Sequence, residues 1–215
     1  MKRIALIIAL LGTVSAAGPA AAQWQGMPVW NSPKGGTGLT VNGDVGFPSA
    51  DAGEGTAYGA RATLGFTALS VTAGLSSWKP DGATESSTTW GGTAQFRVIG
   101  GSLMPVALNL QAGWGSASET ASLPKISNYL VGAGISVNLP TPGLSIEPYL
   151  SVSNRWHDVE GASTESNIGW VLGANVGFGM LGAHLAYDSE SASGGTKLGA
   201  FGIGLHYAFK APVGM

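Results

Sequence analysis

His157, Asp158 and Glu160 fall within four residues, and Asp188 and Glu190 follow further along the chain. Imidazole and carboxylate groups are the usual partners of general acid–base hydrolysis. Consecutive residues of an extended chain point to opposite sides, so His157 and Asp158 should diverge. No nucleophile–base geometry can be read from the spacing, and the chain is expected not to be an enzyme. The three histidines are scattered without metal-ligand spacing, so neither a metal nor another cofactor is expected. The stretch GGTG at 35–38 lacks the Lys-Ser/Thr of a phosphate loop and reads as a flexible approach to a strand. With no cysteine, disulfides and thiolate sites are absent. What remains is a sparse set of charges on otherwise uncharged segments: Asp44, Arg61, Arg97, Glu147, Arg155 and Asp188. Groups of this kind either pair with one another or select a passing solute.

The segments that carry them alternate. In TTWGGTAQFRV, residues 88–98, Trp90, Phe96 and Val98 share one face, while Thr93, Gln95 and Arg97 share the other. That is the period of a strand with one apolar and one polar side. The same pattern predicts strands at 38–47, 56–66, 68–78, 88–99, 105–115, 126–139, 144–157, 166–178, 182–189 and 197–209. Connections alternate between short turns and longer polar loops, an arrangement characteristic of membrane barrels. Eight strands is the alternative if 38–47 and 182–189 are mispaired. The loop stretches PDGATESS, SASETASLP and EGASTES read as solvated caps without the aromatic or Arg anchors of a binding hot spot.

Aromatics support the membrane reading. Trp90, Trp114, Tyr129 and Trp156 fall on the apolar face near long-loop ends, and Tyr207 and Phe209 do so near the opposite end. Rings at both ends of an apolar band form an interfacial girdle. Trp78, Tyr149 and Phe201 read as exceptions. The six charges fall on the polar face, together with many glycines, which suggests a sparsely filled lumen.

Composition agrees. Only 10% of residues are charged, well below the roughly 25% of ordinary soluble domains. Lys2 and Arg3, the apolar run Ile4–Leu11 and the small residues ending at Ala22 predict a signal peptide over 1–22. Its removal leaves 8 basic against 12 acidic residues, which argues against a nucleic-acid partner. Residues 23–37 read as an irregular periplasmic lead-in, 38–209 as the barrel and 210–215 as a tail.

The final strand, GIGLHYAF with Tyr207 and Phe209 at alternate positions, resembles the C-terminal assembly signal of small Gram-negative outer-membrane β-barrel proteins. The resemblance covers 38–209, although KAPVGM follows Phe209 where the family usually ends on the aromatic. It implies an all-β, antiparallel, up-and-down transmembrane barrel of ten strands, surrounded by outer-membrane lipid and delivered to the barrel-assembly machinery. Both termini are then expected in the periplasm. Ten-stranded members include omptin proteases, with acidic and Asp–His groups at the outer rim, but the spacing here does not single out such a set. The expected function is a narrow porin-like path for a small polar solute or ions, with Arg97 and Glu147 meeting as its constriction and Asp44 pairing with Arg61. The alternative is a barrel acting through its outer loops, its lumen closed by residues 23–37 or by infolded loops.

Overall fold

The computed structural model describes residues 23–209 apart from 102, 103 and 122. The signal peptide over 1–22 and the tail over 210–215 lie outside these residues. Alternation of outward apolar and inward polar side chains produces the segments β1 (Gly38–Pro48), β2 (Thr56–Phe66), β3 (Leu69–Lys79), β4 (Ser87–Gly101), β5 (Met104–Ala117) and β6 (Ile126–Val137). They continue with β7 (Leu139–Thr141), β8 (Leu144–Val159), β9 (Glu165–Phe178), β10 (Leu181–Ser191) and β11 (Lys197–Phe209). The three-residue β7 only extends the β6–β8 turn, because β6 pairs directly with β8 from Ile126 opposite Val159 to Ser136 opposite Tyr149. Ten strands therefore form the wall.

Every neighbouring pair is antiparallel, and β1 closes on β11 from Leu39 opposite Phe209 to Pro48 opposite Ala200. Closure leaves no unpaired edge, a requirement for any sheet crossing hydrocarbon. The eight-strand alternative is excluded, since β1 and β10 each pair on both sides along their lengths. Strict alternation breaks in the β4–β5 pair. The register slips between Arg97 and Ile99, a bulge that turns both Val98 and Ile99 outward. A second register shift lies between Ile99 and Gly101.

The usual globular arrangement is inverted. Leu110, Leu172 and Leu205 are 53%, 56% and 70% exposed, whereas Asn109, Gln111 and Arg155 face inward and are almost fully buried. An apolar exterior around a polar interior is stable only in lipid. Trp78 and Tyr149 do turn inward, as their positions in the alternation require. Phe201 does not. It shares the parity of Ile203 and Leu205 and lies outside, stacked on Phe47 with ring centroids 6.4 Å apart. Trp90 and Trp114 pack edge to face at 4.7 Å, Tyr207 and Phe209 at the same separation, and Tyr129 is exposed on the same outer surface. Trp156 stands opposite Tyr129 across the β6–β8 pair, half-buried.

Candidate functional site: a plugged lumen and its vestibule

Residues 23–37 have no regular structure, as expected, but they are not a lead-in that stops short of the barrel. They run through the barrel. Gln23 sits near the long-loop end, donating from Nε2 to the Trp114 carbonyl at 3.2 Å and accepting from Thr93 Oγ1. Asn31, midway down, accepts from Asn109 Nδ2 at 2.9 Å. At the short-turn end Ser32 and Lys34 bind Glu147, and Gly36 passes Gly65 before β1 begins. Trp24, Met27, Val29 and Trp30 form the buried apolar cluster of this segment together with Ala57, Trp78, Leu130 and Tyr149. Gln23 thus lies inside the lumen and not at its short-turn mouth.

The inward glycines explain how the segment fits. A Cβ on Gly46 would overlap the Gly26 carbonyl, one on Gly65 the Gly36 carbonyl, and one on Gly115 the Gln23 carbonyl. A Cβ on Gly202 would lie 2.7 Å from Pro28. Other glycines make room for side chains of the wall itself: Gly74 for Arg61, Gly169 for Arg155, Gly173 for Tyr149 and Gly204 for His184. The glycine face, read from sequence as a sparsely filled lumen, is a set of seats, and the seats are taken.

Three polar networks hold the interior. Nearest the long loops, Arg155 donates from Nη1 to Asp188 Oδ1 at 2.8 Å and to Glu190 Oε2 at 3.1 Å. Glu190 Oε1 also contacts His157 Nε2 at 2.7 Å and accepts from Asn167 at 2.7 Å, while Asp188 Oδ2 accepts the Val29 backbone N–H at 2.9 Å. The fold therefore unites His157, Asp188 and Glu190 from the rim residues, but Asp158 and Glu160 turn outward to solvent. In the middle, Arg61 forms a two-point pair with Asp44 at 2.6 and 3.0 Å, and His184 Nε2 meets the same carboxylate at 2.6 Å. Trp30 lies beneath the Arg61 guanidinium, 5.0 Å from its ring centroid, and packs edge-on against His184.

The lowest network corrects the expected constriction. Arg97 and Glu147 do not meet. Arg97 donates from Nη1 to the Lys34 carbonyl oxygen. Glu147 accepts from Ser32 Oγ at 3.0 Å, Lys34 N at 2.9 Å, Ser136 Oγ at 2.8 Å and Asn175 Nδ2 at 3.1 Å. The two charges grip the same short segment from different strands, and that intervening chain is why they fail to pair.

Comparison with solved structures agrees with the fold. The chain is similar to the β-domain of the Bordetella autotransporter Brka at 11% identity and TM-score 0.50, covering 80% of this chain and 98% of that one. It is also similar to the KdgM porin at 10% identity and TM-score 0.43, covering 80% and 99%. A bacterial polysaccharide outer membrane secretin matches at 10% identity and TM-score 0.46, covering 73% of this chain and 57% of that one. This chain thus spans little more than half the secretin's length. No protein-family model and no curated protein matches the sequence.

The fold is that of an outer-membrane β-barrel protein.

Within this barrel residues 23–37 occupy the long-loop half and leave a vestibule of about 440 Å³ in the other. Gly38, Gly65, Ser70, Ser145, Gly177 and Ala208, all close to short-turn strand ends, place it there. Sequence reasoning missed Gln23, Trp30, Asn31, Ser32 and Lys34, all assigned to the lead-in. Their signal was compositional: two Trp and two Gln among hydrophobics in 23–30 are poorly suited to a solvated tether.

Proposed function

We propose that this outer-membrane barrel is a passive, non-enzymatic route for small polar solutes, shut in its resting form by residues 23–37. The reading rests on one observation. The long-loop half of the lumen is filled largely by a separate segment seated on wall glycines, so that withdrawing it would leave a path continuous with the polar vestibule. Gly35, with φ +63°, lies near the β1 end of this segment, at a position where an L side chain would be strained and where the preceding residues could swing. Burial and mutual engagement of His157 and Glu190 support a structural role for the rim cluster over a hydrolytic one. In this reading the short turns face the periplasm and the five long loops face outward, as is usual for such barrels.

Planar-bilayer conductance tests it. Full-length protein should be closed or nearly so, and the Δ23–34 form should show discrete channel steps once heat-modifiable gel mobility confirms that it is folded. A folded Δ23–34 barrel that stays silent would reject the pore and leave a protein acting through its exterior.

A further inference from the structure

The vestibule does not resemble an ion-selective mouth, because its charges are already used. Arg61 is bound at two points by Asp44. Glu147 is surrounded by four donors, and the Lys34 ammonium rests on Asn138 Oδ1 at 3.0 Å. Of the lining charges, Arg61 is offset by Asp44 behind it and Lys34 formally by Glu147, while the nearby Arg97 guanidinium is turned onto the Lys34 carbonyl. The lining itself therefore presents no net surplus of either sign. A buried ion needs a partner of opposite sign, and without one its desolvation is uncompensated.

What the walls do present is a dense array of hydroxyls and amides. Thr40, Thr63, Ser70 and Thr72 come from β1, β2 and β3, Gln95 from β4 and Asn175 from β9. These groups both donate and accept, and they face one cavity from several strands. Neutral hydroxyls on a ligand match that capacity, since each also donates and accepts. Thr63 and Thr72 already bond one another, and Gln95 and Asn175 bond Asn109 and Glu147. Each keeps spare capacity, and an apolar ligand would satisfy none of it, nor the Thr40 and Ser70 hydroxyls. The volume, about 440 Å³, lies within the usual range for small-molecule pockets and suits one or two sugar rings.

The geometry points to a binding site for a neutral polyhydroxylated solute of mono- or disaccharide size at the short-turn end of the lumen. It deepens the pore reading, on which it depends only for the route by which such a solute would continue across the membrane. The plug forms part of the site, because Trp30, Asn31 and Ser32 contribute to its lining. Occupancy is therefore expected in the full-length, closed protein.

The test is equilibrium binding to full-length protein in a detergent with no sugar headgroup, read by calorimetry. Sucrose should bind saturably. Gluconate and glucosamine, which add one negative or one positive charge, should bind at least about tenfold more weakly, the equivalent of about 1.4 kcal/mol. Thr40→Val and Ser70→Ala should each weaken sucrose about threefold or more while gel mobility remains that of the folded barrel. Absence of saturable sucrose binding, or equal binding of the charged probes, overturns the inference. The two readings fail separately. Sucrose binding with a silent folded Δ23–34 barrel keeps the pocket and removes the pore. Conductance without sucrose binding does the reverse.

Discussion

Arg155 shows what a single side chain carries in this interior. It is 1% exposed and bridges Asp188 and Glu190, while Asp188 in turn holds the plug backbone at Val29. Removing one partner of a buried ion group costs about 3–5 kcal/mol, because the remaining charges lose compensation without regaining water. Arg155→Ala should accordingly lower the urea midpoint of the barrel strongly, followed by the heat-modifiable gel shift. Lys79→Ala, at the exposed end of β3, should change it by less than about 0.5 kcal/mol. Arg97→Ala is a different case. Its guanidinium holds the Lys34 carbonyl, so its loss should raise the frequency of channel opening more than it changes ion preference. Unchanged gating together with a clear shift toward cations would show that Arg97 acts as a lumen charge and not as a clamp.

At the scale of elements, the wall and the plug are matched by glycine. At Gly46, Gly65 and Gly115 the opposing atom is a backbone carbonyl, which cannot rotate aside as a side chain would. Gly115→Val should therefore displace Gln23 and its neighbours while leaving the β4–β5 and β5–β6 pairings in place. Limited proteolysis should then cut within 23–37, where the native protein resists. Gly161→Ser, in a loop where a Cβ would meet nothing, is the matched control, although its φ of +84° adds modest backbone strain. Equal protection of both variants would show that the plug is held by its lower grip on Glu147 alone. The alternation that defines the strands was legible in sequence, with bounds mostly within two residues of those found. The bulge at Val98–Ile99 was not, because consecutive apolar residues do not reveal which of them is extra. Nor was the grip of Arg97 and Glu147 on Lys34, because parity gives the face of a side chain and not what stands before it.

For the whole molecule, the apolar exterior makes a sharp prediction. Leu110→Arg places a charge on the lipid face near mid-strand and should cost about 2–4 kcal/mol, impairing assembly. Thr40→Arg points into the vestibule and should fold, with the gel shift as the measure in both cases. Equal tolerance would contradict the membrane-embedded exterior. Orientation is tested separately by labelling cysteines on intact cells. Ser86→Cys and Ser118→Cys, in two long loops, should react, and Thr141→Cys, in the β6–β8 turn, should not. The reverse pattern would invert the barrel in the membrane.

Sequence alone determined the wall. A period of two is local, so outward Leu110 and inward Asn109 follow from neighbours along the chain, and aromatics such as Trp90 and Tyr207 mark the band's two ends. The Asp44–Arg61 pair was also within reach, since Asn42 opposite Arg61 on adjacent strands brings Asp44 within side-chain range. The interior was decided only by tertiary structure. Whether a glycine-lined lumen is empty depends on what enters it, and a segment without periodicity carries no local sign of where it packs. Gln23 reaches Trp114 across 91 residues, and Ser32 reaches Glu147 across 115. Such contacts exist only after β1 closes on β11, because closure creates the enclosed polar volume into which residues 23–37 fold.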